Sequence, residues 1–174
     1  MTPRTSATAK KFLLALESGG RAGAPTTVEE ARARQKQEWL EDLGALRDRI
    51  REWLAPIEKA NRATVADESF TVTEPDLGTY EAPGLAVSLL VGDEPRRVLL
   101  RPRGVMIVGV VGHRSPPTGP RGRVDLECGV ARQILLRFPH PRGARWMWFA
   151  KGERELDESA FFDILADITA LPVT

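Results

Sequence analysis

Apolar residues recur at helical spacing between residues 28 and 60. Successive members of this stripe are four or three residues apart, as in a heptad repeat. The stripe consists of Trp39, Leu43, Leu46, Ile50, Trp53 and Ile57. Thr27 and Glu30 have the spacing of a capping box just before it. The sequence therefore predicts a long amphipathic helix within residues 26–62.

Two partners are open to this apolar stripe. It can pack on a sheet of the same chain, or it can pair with another helix in an intermolecular coiled coil. The stripe spans fewer than three heptads, and tryptophan is bulky for a tight two-stranded core, which favours packing on the chain's own sheet. Because the second alternative stays open, the six residues are also candidates for a protein interface.

The period of the pattern changes to two from residue 69 onward, which is typical of β-strands. Turn signals such as Gly92-Asp93-Glu94-Pro95 separate the strands by only a few residues. Connections this short favour an antiparallel meander over βαβ units. The later predicted strands are residues 97–101, 105–111, 123–128, 134–138 and 144–150. The sequence predicts a β-rich domain over residues 63–174, with about six to eight antiparallel strands.

Two of these strands, residues 105–111 and 144–150, are apolar on both faces. The long helix can cover one face of the sheet, and the other face needs a second cover. A C-terminal helix is one candidate, with Asp157 as its N-cap and a hydrophobic staple between Leu156 and Phe161. A second subunit is the alternative, so a homodimer is plausible. The predicted fold class is α+β: an antiparallel sheet with a long N-terminal and a C-terminal helix.

Residues 1–25 are predicted to form a short helix and a flexible linker, since the segment from Gly19 to Pro25 is rich in glycine. The apolar run near the N-terminus is short and lacks a small-residue cleavage site, which argues against a signal peptide. No apolar run approaches the roughly 18 residues of a membrane span, so no membrane partner is expected. A single cysteine favours the reducing cytoplasm. The preference for arginine over lysine favours a bacterial, GC-rich source.

The formal net charge of +1 conceals four segments of alternating sign. Residues 1–65 carry a net charge of +3, residues 66–94 carry −7, residues 95–145 carry +9, and residues 146–174 carry −4. Such segregation can mark a partner-binding face, or the segments can neutralise one another within the fold.

The basic segment is the strongest candidate for binding an anion. Guanidinium groups suit carboxylates and phosphates alike. Trp146 and Trp148 could stack on bases, so nucleic acid is an alternative partner to protein. The candidate residues for an anion or nucleic acid are Arg96, Arg97, Arg114, Arg121, Arg123, Arg142 and Arg145.

Metal and cofactor chemistry is poorly supported by the sequence. His113, Cys128 and His140 do not have the spacing of metal ligands. No nucleophile motif and no phosphate-binding loop occurs. We therefore expect no metal, no cofactor and no catalytic residue.

Asp125 and Glu127 share one face of a predicted strand and could hold Mg²⁺ in an enzyme subunit. Cross-strand pairing of these carboxylates with Arg132 and Arg137 is the simpler interpretation.

The sequence as a whole favours a non-catalytic bacterial, cytoplasmic protein that binds or assembles through protein–protein contacts. The alternative is a nucleic-acid-binding accessory factor that uses residues 96–145. A Mg²⁺-dependent enzyme subunit is a third hypothesis.

Overall fold

The computed structural model describes residues 27–106, 119–149 and 152–170. These residues form two helices and one seven-stranded antiparallel sheet, whose strands lie in chain order. The elements are α1 (Val28–Lys59), β1 (Ala63–Glu74), β2 (Gly78–Val91), β3 (Glu94–Gly104), β4 (Arg123–Cys128), β5 (Ala131–Phe138), β6 (Arg145–Phe149), β7 (Glu153–Glu155) and α2 (Glu158–Thr169). The predicted α+β class is confirmed. The predicted short helix and linker over residues 1–25, and most of the predicted strand 105–111, lie outside the described residues.

Local sequence signals fix where both helices begin. The Thr27 hydroxyl accepts the backbone N–H of Glu30 at 3.1 Å, and the Glu30 carboxylate accepts the backbone N–H of Thr27 at the same distance. This is the predicted capping box, which satisfies two amides that the helix itself cannot. At α2, the predicted N-cap Asp157 accepts the backbone N–H of Ala160 at 2.7 Å.

The apolar stripe of α1 packs on the chain's own sheet, which confirms the favoured of the two interpretations. Trp39, Leu43, Leu46 and Ile50 are at most 1% exposed. Trp53 and Ile57 are half-buried against the same core. The stripe thus contributes its apolar surface to the interior of this chain, and an intermolecular coiled coil has no exposed stripe to use.

Both helices lie on one face of the sheet. Strand residues on this face that belong to the core include Val87, Val98, Leu126, Leu135 and Trp146. Helix α2 packs on β4 and β5, and its Phe161 ring lies 5.6 Å from the Trp53 ring of α1, measured between centroids. The C-terminal helix therefore does not provide the second cover. We call the opposite side of β3–β6 the helix-free face.

The β1–β2 hairpin changes the side that it buries along its length. At its base, Ala63 and Val65 contact the core, whereas near its tip the buried side chains are Val72 and Tyr80, which project from the opposite side of the ribbon. The pairing runs without a bulge from Ala63–Leu89 to Glu74–Gly78. The change of side therefore follows from the right-handed twist of a long two-stranded ribbon.

Candidate protein-binding face

The helix-free face gathers arginines from three neighbouring strands. In the sheet register, Arg101 of β3 lies opposite Asp125 of β4, and Glu127 of β4 lies opposite Arg132 of β5. Side chains at paired positions project from the same side of a sheet. Alternate positions of β3, β4 and β5 therefore bring together one group of side chains. We call Arg97, Arg101, Arg103, Arg123 and Arg132, with Asp125 and Glu127, the arginine cluster.

Asp125 is the centre of the arginine cluster. Its side chain is 0% exposed. Arg103 donates from Nε to its Oδ2 at 2.9 Å, and Arg123 donates from Nε to its Oδ1 at 2.7 Å. A third guanidinium, that of Arg132, lies 3.8 Å from Oδ2. A carboxylate without access to water needs such charged donors, because an uncompensated buried charge is strongly unfavourable.

Glu127 holds the other side of the arginine cluster. Its carboxylate accepts a hydrogen bond from Arg103, and Arg101 Nε lies 3.1 Å from Oε2 without the alignment of a hydrogen bond. Burial by itself would lower the pKa of Arg103. The hydrogen bonds and charges of Asp125 and Glu127 outweigh this effect and raise the pKa of Arg103 above its ordinary value. Arg103 is therefore a fixed cation that bridges both carboxylates.

The arginine cluster has more positive than negative charge. Among the described residues, four arginines contact two carboxylates, which leaves an excess of two positive charges at the centre of the face. The Arg97 and Arg132 side chains are 63% and 52% exposed. Arg97 also pairs with Glu68 of β1 at 3.4 Å. Guanidinium groups that are held in place but remain accessible can bind a further anion.

Apolar side chains border the arginine cluster on β5 and β6. Of these apolar side chains, Leu136 of β5 is completely buried, and the remaining four on β5 and β6 are half-buried. The rings of Phe138 and Phe149 stack with centroids 6.5 Å apart. These residues do not belong to the core under the helices. The apolar border consists of Ile134, Leu136, Phe138, Met147 and Phe149.

The other predicted arginines do not form one surface. Arg96 projects from the opposite side of the sheet and pairs with Glu94. Arg145 lies on the helix-free face at the end of β6, opposite Phe138, where it pairs with Glu155 through two hydrogen bonds and does not contact the arginine cluster. This Glu155 partner raises the pKa of Arg145. Arg121 and Arg142 are exposed in connections between strands, whereas Arg114 lies outside the described residues. Of the predicted candidates, the structure brings Arg97 and Arg123 together in the arginine cluster.

The arginine cluster also contains three arginines outside the predicted anion-binding set: Arg101, Arg103 and Arg132. The sequence did predict a cross-strand pairing of Arg132 with the β4 carboxylates, and its contact with Asp125 confirms that pairing. The same prediction is wrong for Arg137, which projects from the helix-covered side and bonds Asp42 of α1 through its Nε at 2.6 Å. Arg132 and Arg137 are five residues apart on β5, and an odd separation along a strand places two side chains on opposite sides of the sheet.

The two candidate stacking residues, Trp146 and Trp148, lie on the helix-covered side of β6. Trp146 is 3% exposed and contacts Trp39 of α1, with ring centroids 6.0 Å apart. Trp148 is half-buried against the core, and its indole N–H donates to Gln133 at 3.0 Å. Neither ring lies on the same side as the arginine cluster.

A second group of buried polar side chains lies near the tip of the β1–β2 hairpin. Glu74 is 5% exposed. Its carboxylate accepts a hydrogen bond from the Tyr80 hydroxyl and another from the backbone N–H of Met106, at 2.7 Å. Gly104, with φ of +124°, makes room for it, because a Cβ there would lie 2.7 Å from the Glu74 carboxyl carbon. The group ties the hairpin to the chain that follows β3.

Tyr80 gives this buried group a measurable pH dependence. Burial, followed by the bond to Glu74, raises the pKa of Tyr80 far above its ordinary value of 10.0, although the nearby Trp39 indole opposes the shift. The folded state thus keeps a proton that the unfolded state releases above about pH 10. Stability therefore begins to fall as the pH rises past the unfolded-state pKa and keeps falling until the pH reaches the higher folded-state pKa. We expect no tyrosinate absorbance at about pH 10–11 while the protein stays folded. Tyr80 is the only tyrosine, so the signal has one source.

The control for this titration is Tyr80→Phe. This variant should lose part of the decline in stability above about pH 10 in urea unfolding followed by tryptophan fluorescence. A folded protein that develops tyrosinate absorbance near pH 10 would contradict the expectation.

An open cleft of about 500 Å³ lies between α1 and the segment after β5. It is lined by Glu38, Glu41, Asp42, Arg137, Pro139, His140 and Pro141. The Asp42 carboxylate is already engaged by Arg137. Within the described residues, no three His, Cys, Asp or Glu side chains are grouped so that they could hold a metal ion.

No family model matches the chain, and no match was found among the curated proteins or the solved structures. Neither of the helices in the described part of the chain is long and apolar enough to cross a membrane.

Proposed function

We propose that this protein is a non-catalytic binding or assembly protein that acts through protein–protein contacts, with the helix-free face as its binding surface. The observation that carries the proposal is the combination on this face of an arginine cluster with excess positive charge and an apolar border. In the described part of the chain, neither helix covers this face.

The residue types of the helix-free face support a protein as the partner. Arginine, phenylalanine and methionine are enriched at protein–protein interfaces, where lysine and aspartate are depleted. The carboxylates that hold Arg101, Arg103 and Arg123 in place also reduce the rotamer freedom that these side chains lose on binding. A preorganised set of arginines next to half-buried apolar side chains is suited to a defined protein surface.

The charge of the helix-free face supports an acidic partner. The excess positive charge favours carboxylates, which guanidinium groups bind through paired hydrogen bonds. The apolar border favours leucine- or phenylalanine-like side chains adjacent to those carboxylates. We therefore infer a partner segment in which aspartate or glutamate residues alternate with apolar ones.

Nucleic acid remains the alternative partner, with weaker support. The two rings that were predicted to stack on bases, Trp146 and Trp148, lie on the helix-covered side and not beside the arginines. Asp125 and Glu127 also neutralise part of the positive charge that phosphates would require.

The test compares two double charge reversals that change the net charge equally. Arg97→Glu with Arg132→Glu alters the helix-free face, and Arg96→Glu with Arg142→Glu alters exposed arginines elsewhere. The probes are a labelled peptide of alternating glutamate and leucine, a polyglutamate of equal charge, and single- and double-stranded oligonucleotides. We expect the wild-type protein and the second variant to bind the glutamate–leucine peptide, and the first variant to bind it at least about tenfold more weakly, or 1.4 kcal/mol.

The salt dependence separates the two partner classes. A nucleic-acid binder should prefer the oligonucleotides and lose affinity steeply with salt, because phosphate contacts release counterions. Tighter binding of oligonucleotide than of peptide would favour the alternative function. Equal loss of peptide binding in both variants would show a non-specific charge effect and overturn the proposed face.

A further inference from the structure

Strand β1 forms one edge of the sheet over twelve residues. The backbone N–H of Leu90 donates to the carbonyl of Arg62, so this pair is hydrogen-bonded. Hydrogen-bonded pairs alternate along an antiparallel ladder. The even-numbered residues of β1 therefore bond β2, and the odd-numbered residues direct their backbone groups away from the sheet.

Among the outward backbone amides of β1, that of Val65 has a hydrogen-bond acceptor within the described residues, whereas the next four outward amides have none. The Val65 N–H donates to the Glu58 carboxylate at the end of α1, at 2.8 Å. Within the described residues, the outward amides of Asp67, Ser69, Thr71 and Thr73 have no hydrogen-bond partner. They form a continuous ladder that another strand can extend.

The opposite edge of the sheet offers no such ladder. Strand β7 has three residues, Glu153, Arg154 and Glu155, and all are charged. Short, charged edge strands discourage pairing with another chain. Strand β1 is therefore the edge at which the sheet can grow.

We propose that two copies of this chain associate through antiparallel pairing of their β1 strands, in the register that places Phe70 opposite Phe70 of the second copy. In this register Ser69 lies opposite Thr71 of the other copy, and Asp67 lies opposite Thr73. The four outward residues of each strand then form four pairs with two hydrogen bonds each, or about eight in total. The sheets of the two copies become continuous.

Side-chain complementarity selects this register. Phe70 is half-buried, on the same side of the hairpin as Glu68 and Val72, and the Arg101 guanidinium carbon lies 4.8 Å from its ring centroid. In the proposed register the two Phe70 residues form a pair that is not hydrogen-bonded, and in such pairs the Cα atoms lie about 4.5 Å apart. Aromatic cross-strand pairs of this kind stabilise a sheet.

The charges of β1 are compatible with the same pairing. Asp67 contacts Arg51 of α1 at 3.0 Å, and Glu68 contacts Arg97 of β3. Both carboxylates thus have a cation on their own chain. In the proposed register neither carboxylate lies opposite a carboxylate of the other copy. The pairing therefore avoids the destabilisation that like charges directly opposite each other would cause.

A disulfide test distinguishes this register from chance contact. In a Cys128→Ser background, Phe70→Cys places two thiols on the two-fold axis, at a Cα separation that a disulfide accepts. Thr64→Cys is the control, because its symmetry mate lies twelve residues, or about 40 Å, along the paired strands. We expect a reducible covalent dimer for Phe70→Cys and none for Thr64→Cys. A monomeric Phe70→Cys protein, or equal crosslinking of both variants, would overturn the proposal.

A second pair of variants keeps the proposal testable if Phe70→Cys fails to fold. Ser69→Lys with Thr71→Lys places lysines opposite each other across the proposed junction. Thr79→Lys with Ser88→Lys adds the same charge at exposed positions one strand further in. Light scattering should give a dimer for the wild-type protein and the β2 variant, and a monomer for the β1 variant. A dimer in all three proteins, or a monomeric wild-type protein, would contradict β1 pairing.

Discussion

Replacing Asp125 by asparagine is expected to lower the free energy of unfolding by about 2–3 kcal/mol. The substitution removes the negative charge that faces Arg103, Arg123 and Arg132, and it brings an amide N–H toward guanidinium donors. Removing one partner of a fully buried ion pair costs roughly 3–5 kcal/mol. We expect a smaller loss here because these arginines keep partial access to water.

The matched control for Asp125→Asn is Glu127→Gln. Glu127 is two residues further along β4, on the same side, and its arginine partners are of the same kind. Its carboxylate is 19% exposed, whereas that of Asp125 is fully buried. We expect a smaller loss, of about 1 kcal/mol, for Glu127→Gln, because its carboxylate and its arginine partners keep partial access to water. Urea unfolding measures both, and equal losses would show that burial of Asp125 does not govern the stability of the arginine cluster.

The N-terminal ends of both helices could be predicted from the sequence, because N-capping bonds join residues that are close along the chain. The Thr27 hydroxyl and the Glu30 carboxylate bond amides within three residues of themselves, and Asp157 does the same at α2. The antiparallel pairing of strands in chain order was predictable for a similar reason, since short turns make neighbouring strands pair. Strand β7 was missed because three charged residues have no apolar periodicity.

The position of α2 could not be predicted in the same way. The apolar residues of β6 require contacts on both sides of the sheet, and the sequence does not specify which element supplies them. Contacts between Phe161 and Trp53 direct α2 to the side that already carries α1. This choice depends on packing between residues more than a hundred positions apart, which a local pattern does not encode.

The sequence predicted which segment is rich in arginine, but it did not predict which of those arginines share one surface. The basic segment contains all five arginines of the cluster, but a list drawn from that segment also includes Arg96, which projects from the opposite side. The register of β3 with β4 decides which arginines reach Asp125. A glycine at position 104 and an irregular pairing between Pro102 and Gly104 shift that register, and the strand pattern alone does not reveal the shift.

Trp39→Ala is expected to lower the free energy of unfolding by about 3–5 kcal/mol. Trp39 is completely buried between α1 and the sheet, against Trp146. The backbone approaches it so closely at Gly122 that an added Cβ would lie 2.4 Å from the indole ring. The cavity left by alanine would therefore be bounded in part by the backbone at Gly122, which collapses less readily than a flexible side chain.

The control for Trp39→Ala is Trp53→Ala, which truncates the same type of side chain on the same apolar stripe. Trp53 is half-buried, so its removal exposes less new surface and leaves a smaller cavity; we expect about half the loss of stability. Because both rings pack within this chain, each variant should keep the oligomeric mass of the wild-type protein under conditions where it remains folded. A change in mass without loss of stability would instead identify the apolar stripe of α1 as an intermolecular contact. Urea unfolding combined with light scattering on the same samples separates these outcomes.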